Sequence, residues 1–347
     1  VAAFEREFAH LHGAAHGVAV TSCTTALHLA LLALGIGPGD EVVLPSFTWI
    51  ATANAVEYVG ARPVLCDVDP RTYNLDPDLL AARITPRTRA VIPVHLFGLC
   101  APMEEILSLC RPRGIAVVED AACASGASAR GRMAGTFGEV GCFSFHPRKV
   151  ITTGEGGMCL TGDEGLAGRL RMLRNHGAAV AEEDRHRGPR PFQLPEFPVL
   201  GYNYRMTDLQ GAVGLAQLRK LPALLAERRR RAAWYRERLA ALPWLATPAA
   251  PDGFGHTWQS FVCRVDESRA PLSRDGIMEA LEARGIASRP GTHAVHLQAY
   301  YVRKYGFRPE DFPASLSCQR ETIALPLHSR MDDADFQRVA AALDALP

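Results

Sequence analysis

The chain has 347 residues, room for two domains, and its 48% hydrophobic and 22% charged residues are the balance of an ordinary globular protein. A formal net charge of +1 recruits neither nucleic acid nor an anionic membrane. No apolar run reaches the length of a membrane span, because charge, Gly or Pro interrupts each one.

The opening VAAFEREFAHLHGAAHG has neither the basic start nor the apolar middle of a secretory signal, which predicts a cytoplasmic protein. Nine cysteines are scattered without a C-x-x-C pair and read as reduced thiols. His12 and His16 stand four apart on a possible helix, but no acidic or thiol partner completes a ligand set, so no metal is expected.

In chain order, residues 24–34 are helical and stopped by Gly35 and Pro38. A short strand follows at 41–44, then a helix over 48–60 ended by Gly60, then a strand at 63–68. Asp76-Pro77 opens a helix with a capping residue and a proline. Next come a strand at 90–97, a helix near 102–110, and apolar residues 115–118 leading into Glu119 and Asp120. Residues 141–145 and 156–161 complete the strand set. Strands separated by helices of about ten residues predict an open α/β sheet covered on both faces. Residues 208–242 are helical, broken once at Pro222, and carry the chain into a smaller second domain. That domain holds a strand at 259–265, a helix at 274–284 and a closing helix from Asp332. The expected division is 1–230 and 231–347. The stretch 178–200, rich in charge, Gly and Pro, is the expected mobile loop.

Ligands of open α/β sheets bind beyond the carboxyl ends of the strands, and Asp120 lies there. Alone it reads equally as a helix cap. Lys149, in FSFHPRKVITTGEGGMCLT (143–161), falls in a turn between two strands of a buried sheet. Burial is expected to depress its pKa and make the amine nucleophilic, as imine formation requires. TSCTTALHLALLAL puts small hydroxyl residues at a helix start, which is either an anion site or an ordinary cap.

Five segments resemble those of the DegT–StrS sugar aminotransferases, in that family's order: VLPSFTWIATANAVEYVGARPV, ITPRTRAVIPVHLFG, VEDAACASGA, SFHPRKVITTGEGG and GYNYRMTDLQGAVGLAQLRKL. The resemblance runs from about residue 4 to the C-terminus. It implies the type I pyridoxal-phosphate fold, with a mixed, mostly parallel seven-stranded sheet, helices on both faces and a smaller C-terminal α/β domain. It also implies a homodimer with shared active sites. Carried over by residue, Lys149 matches the imine-forming lysine, and Asp120 the carboxylate that keeps the pyridine nitrogen protonated. Trp49 matches the aromatic that stacks on the ring; simple core packing is its other reading. Thr24 and Ser144 match phosphate ligands, and Asn203 a phosphate contact delivered from the partner subunit. For Ser144 a hydroxyl bonded to backbone is the alternative. Cys123 stands where the family usually has His or Gln reaching the cofactor's phenolic oxygen, a task a thiol does weakly. Cys23 stands where a small residue such as Gly is common. The chain also starts later than is usual for that family, so an opening segment is expected ahead of it.

Lysine at 149, where a dehydratase-like branch of the family has histidine, favours amino transfer. The implied reaction moves an amino group from L-glutamate or L-glutamine to a ketosugar, most simply nucleotide-linked. A keto-inositol of aminoglycoside synthesis is an alternative acceptor, and a non-catalytic cofactor-binding regulator is an alternative of another kind. Arg228–Arg231 wrap a full helical turn flanked by Glu227 and Glu237, so they read as a solvated helix with one arginine at most reaching a nucleotide diphosphate. GIGPG (35–39) ends a helix where a dinucleotide motif would open one. His293 and His296 lie where the small domain approaches the substrate. Glu155 and His176 are near the site without a role, and His328 is structural.

Overall fold

The structure is a computed structural model that describes residues 1–180 and 194–347. The main sheet has seven strands: β1 (His16–Val20), β2 (Glu41–Pro45), β3 (Arg62–Cys66), β4 (Thr88–Val91), β5 (Ala116–Asp120), β8 (Val140–Ser144) and β9 (Gly157–Thr161). Their order is β1-β9-β8-β5-β4-β2-β3. Each neighbouring pair from β8 to β3 is parallel, and β9 is reversed against both β1 and β8. The expected mixed, mostly parallel sheet is therefore present.

Alternation along the strands sorts side chains to two faces. Val43, Val91, Val117 and Phe143 pack on one side with Phe4 and Phe8 of α1 (Ala2–His12) and Met103 and Ile106 of α5 (Met103–Cys110). Val42, Leu44, Val118 and Cys142 pack on the other with Leu27 and Leu31 of α2 (Cys23–Ala33), Val56 of α3 (Ala51–Tyr58) and Leu170 of α6 (Glu164–Arg174). The short α4 (Pro77–Leu80) is capped by Asp76 as read from the sequence.

A three-stranded antiparallel sheet forms from β10 (Leu245–Ala246), β12 (Phe261–Val265) and β13 (Thr322–Leu325). Its core draws Tyr235 and Leu239 from the helix Leu221–Leu239, Ile277 and Leu281 from Arg274–Glu282, and Phe336 and Leu343 from Asp333–Asp344. A third sheet joins β6 (Ser128–Ala129) and β7 (Arg132–Met133) to β11 (Phe254–Gly255).

Some expectations shift. The apolar stretch 90–97 is strand only to Val91: Pro93 has no N–H for a ladder, and Phe97 turns to φ 57° ahead of Gly98 at φ 102°. The helix read over 48–60 begins at Ala51, leaving Thr48 and Trp49 in the preceding turn. The helical run after Asp208 is two helices, Asp208–Leu218 and Leu221–Leu239, with Pro222 in the first turn of the second, where a missing N–H costs nothing. His12 ends α1 and His16 begins β1, so the two do not share a helix face. The core of the expected mobile loop, 181–193, lies outside the described residues. Among the described residues no helix is long and apolar enough to cross a membrane.

Candidate active site

The carboxyl ends of β1, β2, β5 and β8 share one edge of the sheet, and β9, being reversed, begins there. Four loops therefore converge on that edge, the one after β8 being the one that enters β9. From β1 the chain passes through Thr21 and Ser22 into α2. Ser22 caps that helix: its Oγ accepts from the Thr25 amide at 3.1 Å, and its own amide donates to Thr25 Oγ1 at 3.0 Å. The cap uses the Thr25 amide, while the Cys23 and Thr24 amides belong to the first turn, which no helical carbonyl reaches. Thr24 is half-buried beside them.

Ser144, at the end of β8, pairs with Gly157, the first residue of β9. A Cβ on Gly157 would lie 2.4 Å from the carbonyl of Ser22, so the absence of a side chain there is what lets the start of α2 sit against β9 beside Ser144. Ser144 is buried, and its Oγ has one weak partner, the His146 amide at 3.4 Å. An anion between Thr24 and Ser144 would meet two hydroxyls, open amides and a helix dipole.

Asp120 closes β5 and is 5% exposed. Thr52 Oγ1 donates to its Oδ2 at 2.8 Å, the Ala122 amide donates to Oδ1 at 3.1 Å, and the Cys23 sulfur is 3.9 Å away. Thr48 Oγ1 in turn contacts Thr52 Oγ1 at 3.2 Å. No cationic side chain is ion-paired to Asp120 among the described residues. Burial and then the Asp120 charge push the Cys23 thiol up, so it remains a weak donor, directed at Cys142 O. A buried carboxylate held by neutral hydrogen-bond donors, without a direct ion pair, fits a positively charged ring.

Lys149 sits in the β8–β9 loop, where its amide turns back to His146 O at 2.9 Å and its Nζ contacts Cys123 Sγ at 3.2 Å. The expected depression of its pKa is overturned. Burial is the largest single influence and does lower it, but the contact with Cys123 and the charge of Asp120 favour the ammonium and hold Lys149 above the usual lysine range. Cys123 is thus a lysine contact here, and its carbonyl is fixed by Thr257 Oγ1 at 2.9 Å.

Trp49 is 55% exposed, which removes the core-packing alternative. Its ring lies 5.4 Å from that of His293, brought in by Thr48 N donating to His293 O at 3.1 Å. His296 is buried, its Nδ1 2.7 Å from Ser46 Oγ, and packs structurally. His328 is exposed and accepts from the Arg330 amide at 3.3 Å. Asn203 is exposed, in a bridge opposite Asn175, on a strip of chain whose Tyr204 carbonyl accepts from Thr21 N. Glu155 is exposed and 3.7 Å from His146.

Sequence reasoning missed several supports. Thr48 and Thr52, four apart, carried a legible signal, since that spacing puts both hydroxyls on one side of a helix entry. The pair His95 and Glu119 did not. Both are fully buried, with His95 Nε2 donating to Glu119 at 2.8 Å while its Nδ1 accepts from Ala101 N. Glu119 also receives the amides of Gly135, Phe137 and Gly138. The node clamps two loops to the strand that ends in Asp120.

This fold, with a lysine and a carboxylate at the carboxyl edge of a mostly parallel sheet, defines a type I pyridoxal-phosphate-dependent transferase. The DegT/DnrJ/EryC1/StrS aminotransferase family matches residues 1–344, and the chain belongs to that family. GDP-perosamine synthase of Caulobacter vibrioides is 44% identical over 342 residues, covering 98% of this chain and 88% of that one. The crystal structure of DesI in the presence of its TDP-sugar product superposes with a TM-score of 0.88 at 34% identity, covering 99% of this chain and 83% of that one. The sugar aminotransferase Spr1654 of Streptococcus pneumoniae, described as putative, superposes in its PLP form with a TM-score of 0.90 at 26% identity, covering 99% and 90%. Its PMP form superposes likewise. The chain is a pyridoxal-phosphate-dependent sugar aminotransferase.

Proposed function

We propose that the enzyme moves the amino group of L-glutamate or L-glutamine to a nucleotide-linked ketosugar, with Lys149 as the catalytic base. The observation that carries this is the position of the Lys149 amine, beside Cys123 and in the field of Asp120, at the edge where the phosphate-type cradle of Thr24 and Ser144 also lies. Bound pyridoxal phosphate supplies an aldehyde that accepts amino groups and a protonated ring that stabilises negative charge at the carbon losing its proton. The protein does the rest. Asp120, oriented by Thr52 and the Ala122 amide, keeps the proton on the ring nitrogen. Thr24, Ser144 and the first amides of α2 would hold the phosphate, and Trp49 would stack on the ring. Lys149, when neutral, would act as the base that takes the proton from the donor's α-carbon and gives it up on the far side of the transferred nitrogen, two bonds away.

A guanosine-linked acceptor is the first to try, because a relative with 44% identity is a GDP-perosamine synthase. The enzyme works as a homodimer in the cytoplasm, Asn203 reaching the partner's phosphate site; its exposure and that of Leu209 and Val213 nearby support a covered face. The chain divides into 1–230 and 231–347, a division supported by the separate core built from residues 232–346.

The test is the visible absorbance of cofactor-loaded protein before and after L-glutamate, beside Lys149→Ala. A band that glutamate bleaches and the variant lacks is expected; GDP-linked and TDP-linked ketosugars are then compared for restoring it. A band that no amino donor bleaches would leave the regulator standing.

A further inference from the structure

Of the nine cysteines, all within the described residues, eight are buried and Cys123 alone is partly open. Burial pushes up the thiol of Cys110 to about 11 and those of Cys66 and Cys318 to about 12, which keeps them inert. Cys123 differs in its company as well as its access, because its sulfur touches the Lys149 amine at 3.2 Å.

Both ends of that contact are anchored by backbone. The Ala122 amide donates to Asp120 Oδ1 at 3.1 Å, the Ala124 amide donates to Ala121 O at 2.9 Å, and the Cys123 carbonyl accepts from Thr257 Oγ1 at 2.9 Å. Across the gap, the Lys149 amide donates to His146 O at 2.9 Å, and Gln259 Nε2 donates to the carbonyl of Arg148 at 2.6 Å. Groups held about 3–3.5 Å apart in this way react without the cost of finding each other. Cys23, the other thiol near Asp120, is buried and directed at Cys142 O at 3.4 Å, so the nucleophile that Cys123 faces is the amine. Amino transfer asks Lys149 to move a proton and leaves this thiol without a chemical task.

We propose that Cys123 and Lys149 form an oxidative modification site, in which a hydroperoxide joins sulfur to nitrogen in a cross-link that a thiol reductant reopens. In the first step the thiol gives two electrons to the peroxide. The O–O bond breaks, one oxygen stays on sulfur as a sulfenic acid, and the other leaves as water or an alcohol. The neutral Lys149 amine then attacks that sulfur. An S–N bond forms, the S–O bond breaks, and the departing hydroxide takes a proton from the nitrogen and leaves as water. The product lacks two hydrogens relative to the reduced protein, and two equivalents of a thiol return them by becoming a disulfide.

The inference rests on the reading of Lys149 as the cofactor lysine. While its nitrogen is committed to the cofactor, Lys149 cannot close the cross-link; an amino donor frees the amine and opens the site to oxidation. Peroxide would thus silence enzyme that has taken up an amino group and found no sugar to receive it.

The experiment exposes cofactor-loaded enzyme to dilute hydrogen peroxide with and without excess L-glutamate, followed by non-reducing digestion and mass spectrometry. With L-glutamate, a peptide containing Cys123 should be joined to one containing Lys149, lighter by two hydrogens than their sum. Dithiothreitol should separate them and restore amino transfer, and without L-glutamate the joined species should be lost. Cys123→Ser should abolish both the joined peptide and the dithiothreitol-reversible part of the inactivation. Cys123 left as a thiol, or carried on to a sulfinic acid beside a free Lys149, overturns the proposal. So does a disulfide between Cys23 and Cys123, which has the same mass change and a different partner. A joined peptide that forms equally with and without L-glutamate keeps the site and refutes Lys149 as the cofactor lysine.

Discussion

Gly157→Ala tests whether the start of α2 and Ser144 form one anion cradle. The added Cβ would stand 2.4 Å from the Ser22 carbonyl and 2.8 Å from the Cys23 amide nitrogen, both backbone atoms that cannot rotate away. Carbon contacts settle near 3.5 Å, so the first turn of α2 must retreat from β9 by about 1 Å. A hydrogen bond of about 2.9 Å stretched by that much is lost. One charge-assisted bond to phosphate is worth about 1.5–3 kcal/mol, which predicts roughly 10- to 150-fold weaker cofactor binding. Overpacking adds a fold cost of about 1–3 kcal/mol. Cofactor affinity is read by absorbance titration and stability by thermal melting of the cofactor-free protein. Gly162→Ala, just beyond the far end of β9, meets nothing within 4 Å and serves as the control. A Gly157→Ala protein with a lowered melting point but wild-type cofactor affinity would refute the cradle.

Other perturbations address different parts of the site. Gly98→Ala combines φ 102° with a Cβ 1.9 Å from Thr257 Oγ1, and is expected to destabilise by about 3–4 kcal/mol; adding Thr257→Ala should return roughly half of that in a double-mutant melting comparison, and no recovery would refute the steric account. Because Lys149 is held above its unfolded value, it stabilises the cofactor-free fold fully below the unfolded pKa of about 10.4, and that contribution fades as pH rises through the higher folded value. The neutral amine needed for cofactor uptake should accordingly keep increasing from pH 7 to 10, so a rate of band formation that plateaus near pH 8 would contradict the assignment. Trp49→Ala removes an exposed ring and should leave melting of the cofactor-free protein within about 0.5 kcal/mol while weakening cofactor retention on gel filtration.

The parts of the fold that could be read from sequence are those where local rules and tertiary packing agree. Helix α2 has its cap, apolar run and Gly35 stop all in the chain, and it forms within a residue of the expected bounds. The places of Asp120, at the end of β5, and of Lys149, in the β8–β9 loop, were legible in the strand pattern, whereas the roles expected of them came from the family resemblance. Helix α1 and strand β1 escaped notice since AAFEREFAHLH alternates charge with aromatics, and HGVAV is too short and small to announce a strand. The lysine's charge state was misjudged for a physical reason: burial follows from the sequence pattern, whereas the approach of Cys123, 26 residues away, does not.

The clamp at Glu119 carries a lesson for anyone rebuilding this enzyme. One carboxylate receives His95 and three amides from residues 135–138, so two loops distant in sequence share a single fastener. Exchanging either loop for that of a relative, to alter which sugar is accepted, would leave the other hanging from a mismatched anchor. Chimeras of this scaffold should therefore move residues 95–101, Glu119 and 131–138 as one cassette.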